Sequence, residues 1–319
     1  MTYPKQQNSK RKRKRWILSA TIALLGAALL AGCGAQPGTS SAASSGSSTS
    51  TGTVVIGGKN FTESQIMADM LDLMIKKYTH LHVVMKTWLD SAVTWNALKT
   101  GNIDLYVEYT GTGLVNILHD PVNTNPNAVY NTVKKQFQSK YHVTWLKPLG
   151  FNDTYAMAMR QSEAKRLGIT TISQLAAKSG NLILGSDTDF TVRADTLPAM
   201  NRVYGTHFKS VSTMAIGLKY QALVDKKVDV IDAFSTDGQI PAYHLTILQD
   251  NKHLFPPYYA APIVRDSVLA AHPQLKTVLD KLANKIDDSQ MQKMNEAVDL
   301  QHQRPMTVAK NWLTKHGLL

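Results

Sequence analysis

A single cysteine, Cys33, stands in a chain of 319 residues, and it lies at the end of a leader rather than in the body. No intrachain disulfide can form, so residues 54–319 have to be held by packing alone. That length is enough for two ordinary lobes. Before Cys33 come Lys5, Lys10, Arg11, Lys12, Arg13, Lys14 and Arg15, then an uncharged run from Trp16 to Leu30. A basic stretch, a short apolar stretch and small residues at a cleavage point read as a secretory signal. The apolar run is shorter than the ~20 residues that a membrane span needs.

Leu30-Ala31-Gly32-Cys33 is similar to a bacterial lipobox. The similarity implies cleavage before Cys33, so that residues 1–32 are a lipoprotein signal peptide, and attachment of a diacylglyceryl group to the Cys33 sulfur. The alternative is a buried cysteine beside an ordinary signal, and the residues around Cys33 are too small and polar to bury it. Residues 33–53 carry no charge and no large apolar side chain, the composition of a flexible linker. As a coil, the twenty residues after Cys33 reach about 25 Å. The expected location is extracytoplasmic, lipid-anchored to the outer face of the bacterial cell membrane. The formal net charge of +12 is mostly leader: seven of the 35 Lys and Arg, and none of the 23 Asp and Glu, lie in residues 1–32. The mild excess that remains, with no basic stripe carrying interleaved aromatics, gives no reason to expect nucleic acid.

Strand-like and helical patterns alternate along the body. Thr53–Gly58 reads as a buried strand, and Thr62 with Gln65 fits a capping box opening a helix to Lys77. Further segments follow: strand 81–89, helix 91–100, strand 103–107, brief helix 111–118, helix 127–141 with Pro126 in its first turn, and strand 143–146. A second series has strand 154–159, helix 172–177, strand 182–184, helices 194–204 and 215–224, and strand 228–231, and the chain closes with helices 274–286, 289–300 and 307–316. Such alternation predicts parallel βαβ units. Breaks at Pro148-Leu149-Gly150 and Phe255-Pro256-Pro257-Tyr258 suggest a chain that leaves one lobe, builds a second and returns. The expected lobes are residues 54–152 with 259–319, and residues 153–258. Ligands of open parallel sheets sit beyond the carboxyl ends of strands, which here can face one cleft.

Five motifs in order carry a resemblance: Gly57–Glu63, Asp104–Thr112, Pro148–Ala156, Asp229–Gly238 and Phe255–Pro262. Together they resemble the substrate-binding lipoproteins of osmoprotectant ABC importers, from about Thr53 to Leu319. The resemblance implies an α/β, two-lobed periplasmic-binding-protein-like (type II) fold, each lobe a mostly parallel sheet flanked by helices. It implies capture of a quaternary amine (glycine betaine, carnitine, choline or a related solute) and delivery to the membrane permease of an ABC importer, with no cofactor. The family's aromatic cage falls on Tyr109, Tyr155, Phe234 and Tyr258. A trimethylammonium group has no N–H to donate, so ring faces can select it where hydrogen bonds cannot. Phe234 stands where relatives commonly have tyrosine; Tyr258 is preferred to Tyr259 by motif position. Lys59, Thr112 and Arg193 fall where a ligand carboxylate would be held, Arg193 by a two-bond fork. A solvated or interlobe salt bridge is the alternative for Lys59 and Arg193. Asp153 is a candidate negative contact to the ammonium, or a loop cap. Trp88, Trp95, Trp145 and Trp312 lack motif context and are assigned to structure.

Gly58-Lys59 fails as a Walker loop and Gly111-Thr112-Gly113 as a dinucleotide loop. No Gly-x-Ser-x-Gly elbow occurs, so an enzyme is not expected. His80 and His82 lack further ligands at metal spacing, and Asp225, Asp229 and Asp232 do not match a calcium loop. An exported enzyme or a tethered sensor on the same fold remains the rival reading.

Overall fold

The structure, a computed structural model, describes residues 52–319. The expected signal peptide, the lipobox-like stretch with Cys33 and nearly all of the expected linker lie outside the described residues. Thr53, placed at the linker's end by composition, already opens the first strand.

Among the described residues ten strands form two five-stranded sheets. They are β1 (Thr53–Lys59), β2 (His82–Leu89), β3 (Leu105–Tyr109), β4 (Val143–Trp145), β5 (Tyr155–Arg160), β6 (Ile183–Ser186), β7 (Ser210–Thr213), β8 (Val230–Phe234), β9 (Leu245–Leu248) and β10 (Ala260–Arg265). The first sheet has the order β2-β1-β3-β10-β4, the second β7-β6-β8-β5-β9. This is the two-lobed binding-protein fold. Each sheet is mixed: β1 pairs in parallel with β2 and β3, and β6 with β7 and β8, but β10 and β5 run antiparallel to both neighbours. The reason lies in the crossings. β5 and β10 are the strands that receive the chain from the other lobe, so each starts at the cleft and runs away from it. The register shows this directly: Ala260, first in β10, pairs with Tyr109, last in β3, and Tyr155, first in β5, pairs with Phe234, last in β8.

The two crossings run side by side. The Asp153 N–H donates to the Tyr258 carbonyl (3.1 Å) and the Tyr258 N–H to Asn152 Oδ1 (2.7 Å), with a bridge between Asn152 and Tyr259. Helix Thr62–Tyr78 buries Ile66, Met67, Met70, Leu71, Met74 and Ile75 under the first sheet. Each such side chain contributes about 1.5–3 kcal/mol. The expected capping box is absent: Phe61 is the N-cap, which moves Thr62 and Gln65 inside the helix. Thr62 instead donates to Asp299, and Gln65 Nε2 to the Lys59 carbonyl (2.5 Å). Tertiary partners have displaced the local motif.

Helix 274–286 is shorter than its periodicity predicts. It runs Gln274–Leu279, followed by a 3₁₀ turn at Asp280–Leu282. Beyond it the Asn284 and Ile286 N–H groups donate to the carbonyls of Pro148 and Leu149 in the first crossing (3.0 and 3.1 Å), which a continued helix would forbid. Helix Asp288–Asp299 reaches the second lobe, where Asn295 Nδ2 donates to the Thr236 carbonyl (3.0 Å) and Gln239 Nε2 to Asp299 (3.0 Å).

Candidate functional site

Strand ends from both lobes and the second crossing meet around a cavity of about 600 Å³. Tyr109 closes β3, Tyr155 opens β5, Phe234 closes β8, and Tyr258 comes from the crossing. All four rings line this one cavity, as do Lys59, Thr112, Asp153 and Arg193. Tyr155 is central. Its centroid is 4.9 Å from Phe234 and 5.6 Å from Tyr258, the latter ring nearly perpendicular at 83°. Phe61, not singled out by the sequence, stacks on Phe234 (5.7 Å) and lies 6.0 Å from Tyr109. It joins the rings into a belt: Tyr258, Tyr155, Phe234, Phe61, Tyr109. Its signal was its place just beyond the carboxyl end of β1, where ligands of such sheets sit.

The phenols are fixed from behind. Tyr109 donates to Glu63 Oε1 (2.7 Å) and Tyr258 to Asp195 Oδ2 (3.2 Å). Burial, then the neighbouring carboxylates, push both phenol pKa values well up, so the hydroxyls stay protonated. Close packing fixes Tyr258 as well. A Cβ on Gly111 would lie 2.7 Å from the Tyr258 ring, so only glycine lets that ring reach the cavity. Gly111 leads into a π-helical turn, Thr112–Ile117, in place of an ordinary short helix.

The positive side chains are already paired. Lys59 Nζ lies 2.5 Å from Glu108 Oε1, with both groups buried. Arg193 makes the expected two-bond fork, but onto Asp195: Nε to Oδ1 at 2.9 Å and Nη2 to Oδ2 at 2.6 Å. Local sequence builds this turn. Helix Thr188–Val192 ends at Arg193, and the Thr196 hydroxyl ties back to the Phe190 and Arg193 carbonyls (2.7 and 2.9 Å), delaying the next helix to Leu197. Arg193 Nη2 also donates to Thr112 Oγ1 (3.3 Å), a contact between the lobes. Both cations are ion-paired, but each pair is buried and lies on one side of the cleft, so neither is the alternative solvated or interlobe bridge. Lys59 has three N–H groups and Arg193 five, so donors remain and a ligand carboxylate would add to these pairs. A third cation, Lys219, is buried against Asp232 (2.6 Å) and lies 5.0 Å from the Phe234 centroid.

Residues 52–315 match the OpuAC family, the substrate-binding domain of ABC-type glycine betaine transport systems. The chain belongs to the OpuAC family. Among OpuAC relatives, the carnitine transport binding protein OpuCC of Listeria monocytogenes serotype 1/2a is 34% identical over 308 residues, covering 96% of this chain and 98% of its own. A glycine-betaine-binding protein of Pseudomonas aeruginosa is 36% identical over 278 residues, covering 84% and 89%. The crystal structure of a glycine betaine/carnitine/choline ABC transporter protein superposes with a TM-score of 0.68 at 35% identity, over 83% of this chain and 99% of the other. This OpuAC chain is therefore the substrate-binding component of an ABC-type transport system.

Other expectations are placed as follows. Trp95 and Trp145 pack around Phe137 in the first lobe, and Trp312 stacks on His316 at 3.9 Å. Trp88 departs from its structural assignment: it is 62% exposed and lines the cavity. Asp153 is buried, and its Oδ1 meets the Thr236 hydroxyl at 2.7 Å. The same hydroxyl lies 2.6 Å from Glu63 Oε2. The two acids share one hydroxyl proton, a contact that a proton on either acid would complete. Burial, reinforced by Glu63 and Asp237, raises the Asp153 pKa well above the carboxylate range, which weakens it as a negative contact. Burial also raises Glu63 from 4.5 to about 7, against the hydrogen bonds from Thr236, Tyr109 and Asn295.

Because the folded-state pKa of Glu63 is raised, the folded form holds a proton that the unfolded chain releases above pH 4.5. The stability from this group is fully present below that pH and is lost as pH rises through about 7, on the order of 3 kcal/mol in all. Glu63→Gln, which mimics the protonated acid, should flatten the fall in unfolding free energy over this window. Parallel slopes in denaturant titrations of the two proteins would exclude Glu63 as its source.

Proposed function

We propose that the cavity captures a quaternary ammonium osmoprotectant such as glycine betaine, carnitine or choline, and that the protein hands it to the permease of an ABC importer. The observation that carries this reading is the ring belt from Tyr258 through Tyr155, Phe234 and Phe61 to Tyr109. A methylated ammonium loses little by leaving water for such a wall, since it makes no directional polar bond. A desolvated cation–π contact contributes about 2 kcal/mol, so several reach the ~8 kcal/mol of a micromolar complex. The names of the Listeria and Pseudomonas relatives support the same ligand class. The carboxylate end of a zwitterion would face Thr112, Arg193 and Lys59. Phe234 keeps a ring face without a hydroxyl. Binding would then bias the protein towards the closed cleft, for which the ligand has the greater affinity. On this reading the protein is a receptor and not an enzyme, and the lobes are residues 54–152 with 259–319 and residues 153–258.

We further infer that residues 1–32 are removed, that Cys33 is lipidated, and that residues 33–53 tether the body outside the cell membrane. The Cys33→Ser chain is expected in the medium; its retention at the membrane would remove the anchor from this account. The ligand is tested by calorimetry on the full chain in detergent micelles, against glycine betaine, proline betaine, carnitine, choline, proline and glutamine. The four methylated amines should bind and the two amino acids should not. Binding of proline or glutamine alone would reject the cage, and turnover of any bound amine would favour an enzyme.

A further inference from the structure

Trp88 is a large aromatic whose position neither burial nor backbone preference explains. Its side chain is 62% exposed, and its φ of +63° is in the left-handed region, which disfavours bulky side chains. The sheet register shows how it is held there. Gly57 pairs with Lys86, but the next pair is Lys59 with Leu89, so Gly58 alone faces both Thr87 and Trp88. That is a β-bulge, the device by which a strand redirects a side chain beside a site. Gly58 is part of it, since a Cβ there would lie 2.9 Å from Thr87 Cγ2. The redirected indole lines the ring-walled cavity, whose wall in the opposite lobe includes Met214, Ala215 and Ile216. It also lines an adjoining chamber of about 230 Å³ beside Phe61 and Phe234. Met214 and Ile216 are half-buried, Met214 against the core of the second lobe, and Ala215 is exposed, so the segment keeps apolar surface towards the cavity.

We propose that Trp88 is the retaining wall of the binding site. When the lobes close over a bound amine, its indole packs on the Met214–Ile216 segment and covers the ligand, so it governs the rate of escape. This rests on the quaternary-amine reading above. The strain at Trp88 is the cost of presenting an indole where the strand would otherwise place a residue suited to left-handed backbone, such as asparagine.

Two variants separate this role from a structural one. Trp88→Asn suits the backbone and removes the indole; Trp88→Phe keeps a ring. Release of radiolabelled glycine betaine, carnitine and choline is timed from the full chain in detergent micelles. Trp88→Asn should release the bound amine at least tenfold faster with an unchanged or higher Tm, and Trp88→Phe should stay within about threefold of the unmodified chain. The emission difference between the unmodified chain and Trp88→Phe should shift to the blue on saturation. Unchanged release from Trp88→Asn, or no shift while the amine binds, overturns the proposal. Normal release with impaired uptake by cells would also overturn it, assigning the indole to permease docking instead. If no amine binds the unmodified chain, the ligand reading fails first and this one with it.

Discussion

Tyr155→Ala is expected to weaken binding of a trimethylammonium solute by at least thirtyfold, the equivalent of the ~2 kcal/mol of one desolvated ring face. The loss should be larger than for any other ring of the belt, because Tyr155 also positions its neighbours. It packs against Phe234 and Tyr258 inside the cavity and against Phe190 and Phe255 behind it, at 5.5 and 5.8 Å. Its removal leaves those rings without a common wall and should lower stability by about 3–5 kcal/mol. Tyr155→Phe keeps the face and the packing, so it should bind within a few-fold of the unmodified chain. Calorimetry that shows Tyr155→Ala binding as tightly as the unmodified chain would end the cage assignment.

Arg193→Ala should act on stability and on selectivity together. Asp195 is 3% exposed, and without the guanidinium it keeps only the Tyr258 hydroxyl among its side-chain partners in this structure. Stranding one member of a buried pair costs about 3–5 kcal/mol. Restoring neutrality with the double change Arg193→Ala and Asp195→Ala should recover much of it, and a cycle built from the three variants reads the coupling. In binding, the single change should harm glycine betaine more than choline, which has no carboxylate and gains from the uncompensated Asp195. Equal losses for both ligands would remove the carboxylate role from Arg193 and leave it a structural bridge between Asp195 and Thr112.

The residues around the cavity were legible because they sit at strand ends and crossings that motifs mark; their partners were less so. Tyr109, Tyr155, Phe234 and Tyr258 lie in four of the five stretches that carry the family resemblance, and the structure brings them to one cavity. Glu108 was missed because its pairing depends on where distant segments meet, which spacing does not encode; Asp195, only two residues from Arg193, was missed because it lies outside the five motifs. Lys59 and Glu108 are 49 positions apart. Strand β10 escaped notice because Pro262 argues against a central strand. Its carbonyl accepts from the Leu146 N–H just past the end of β4, so the donor that proline lacks would have faced a place where pairing stops. β7 was missed for another reason: Ser210–Thr213 is an exposed edge with no apolar run to reveal it. Trp88 was misassigned because a bulge, invisible to alternation, turns it out of the pattern.

The paired crossings have a mechanical consequence. Two connections alone would let one half glide past the other. Hydrogen-bonded into a ribbon through Asn152, Asp153 and Tyr258, they resist gliding and leave bending as the soft coordinate. Displacement under a bend grows with distance from its axis. Tyr258 belongs to the ribbon and Tyr155 follows it by two residues, so their mutual arrangement should vary least between open and shut forms. An arriving solute would meet a preset corner there, and the outer lip would complete the enclosure last.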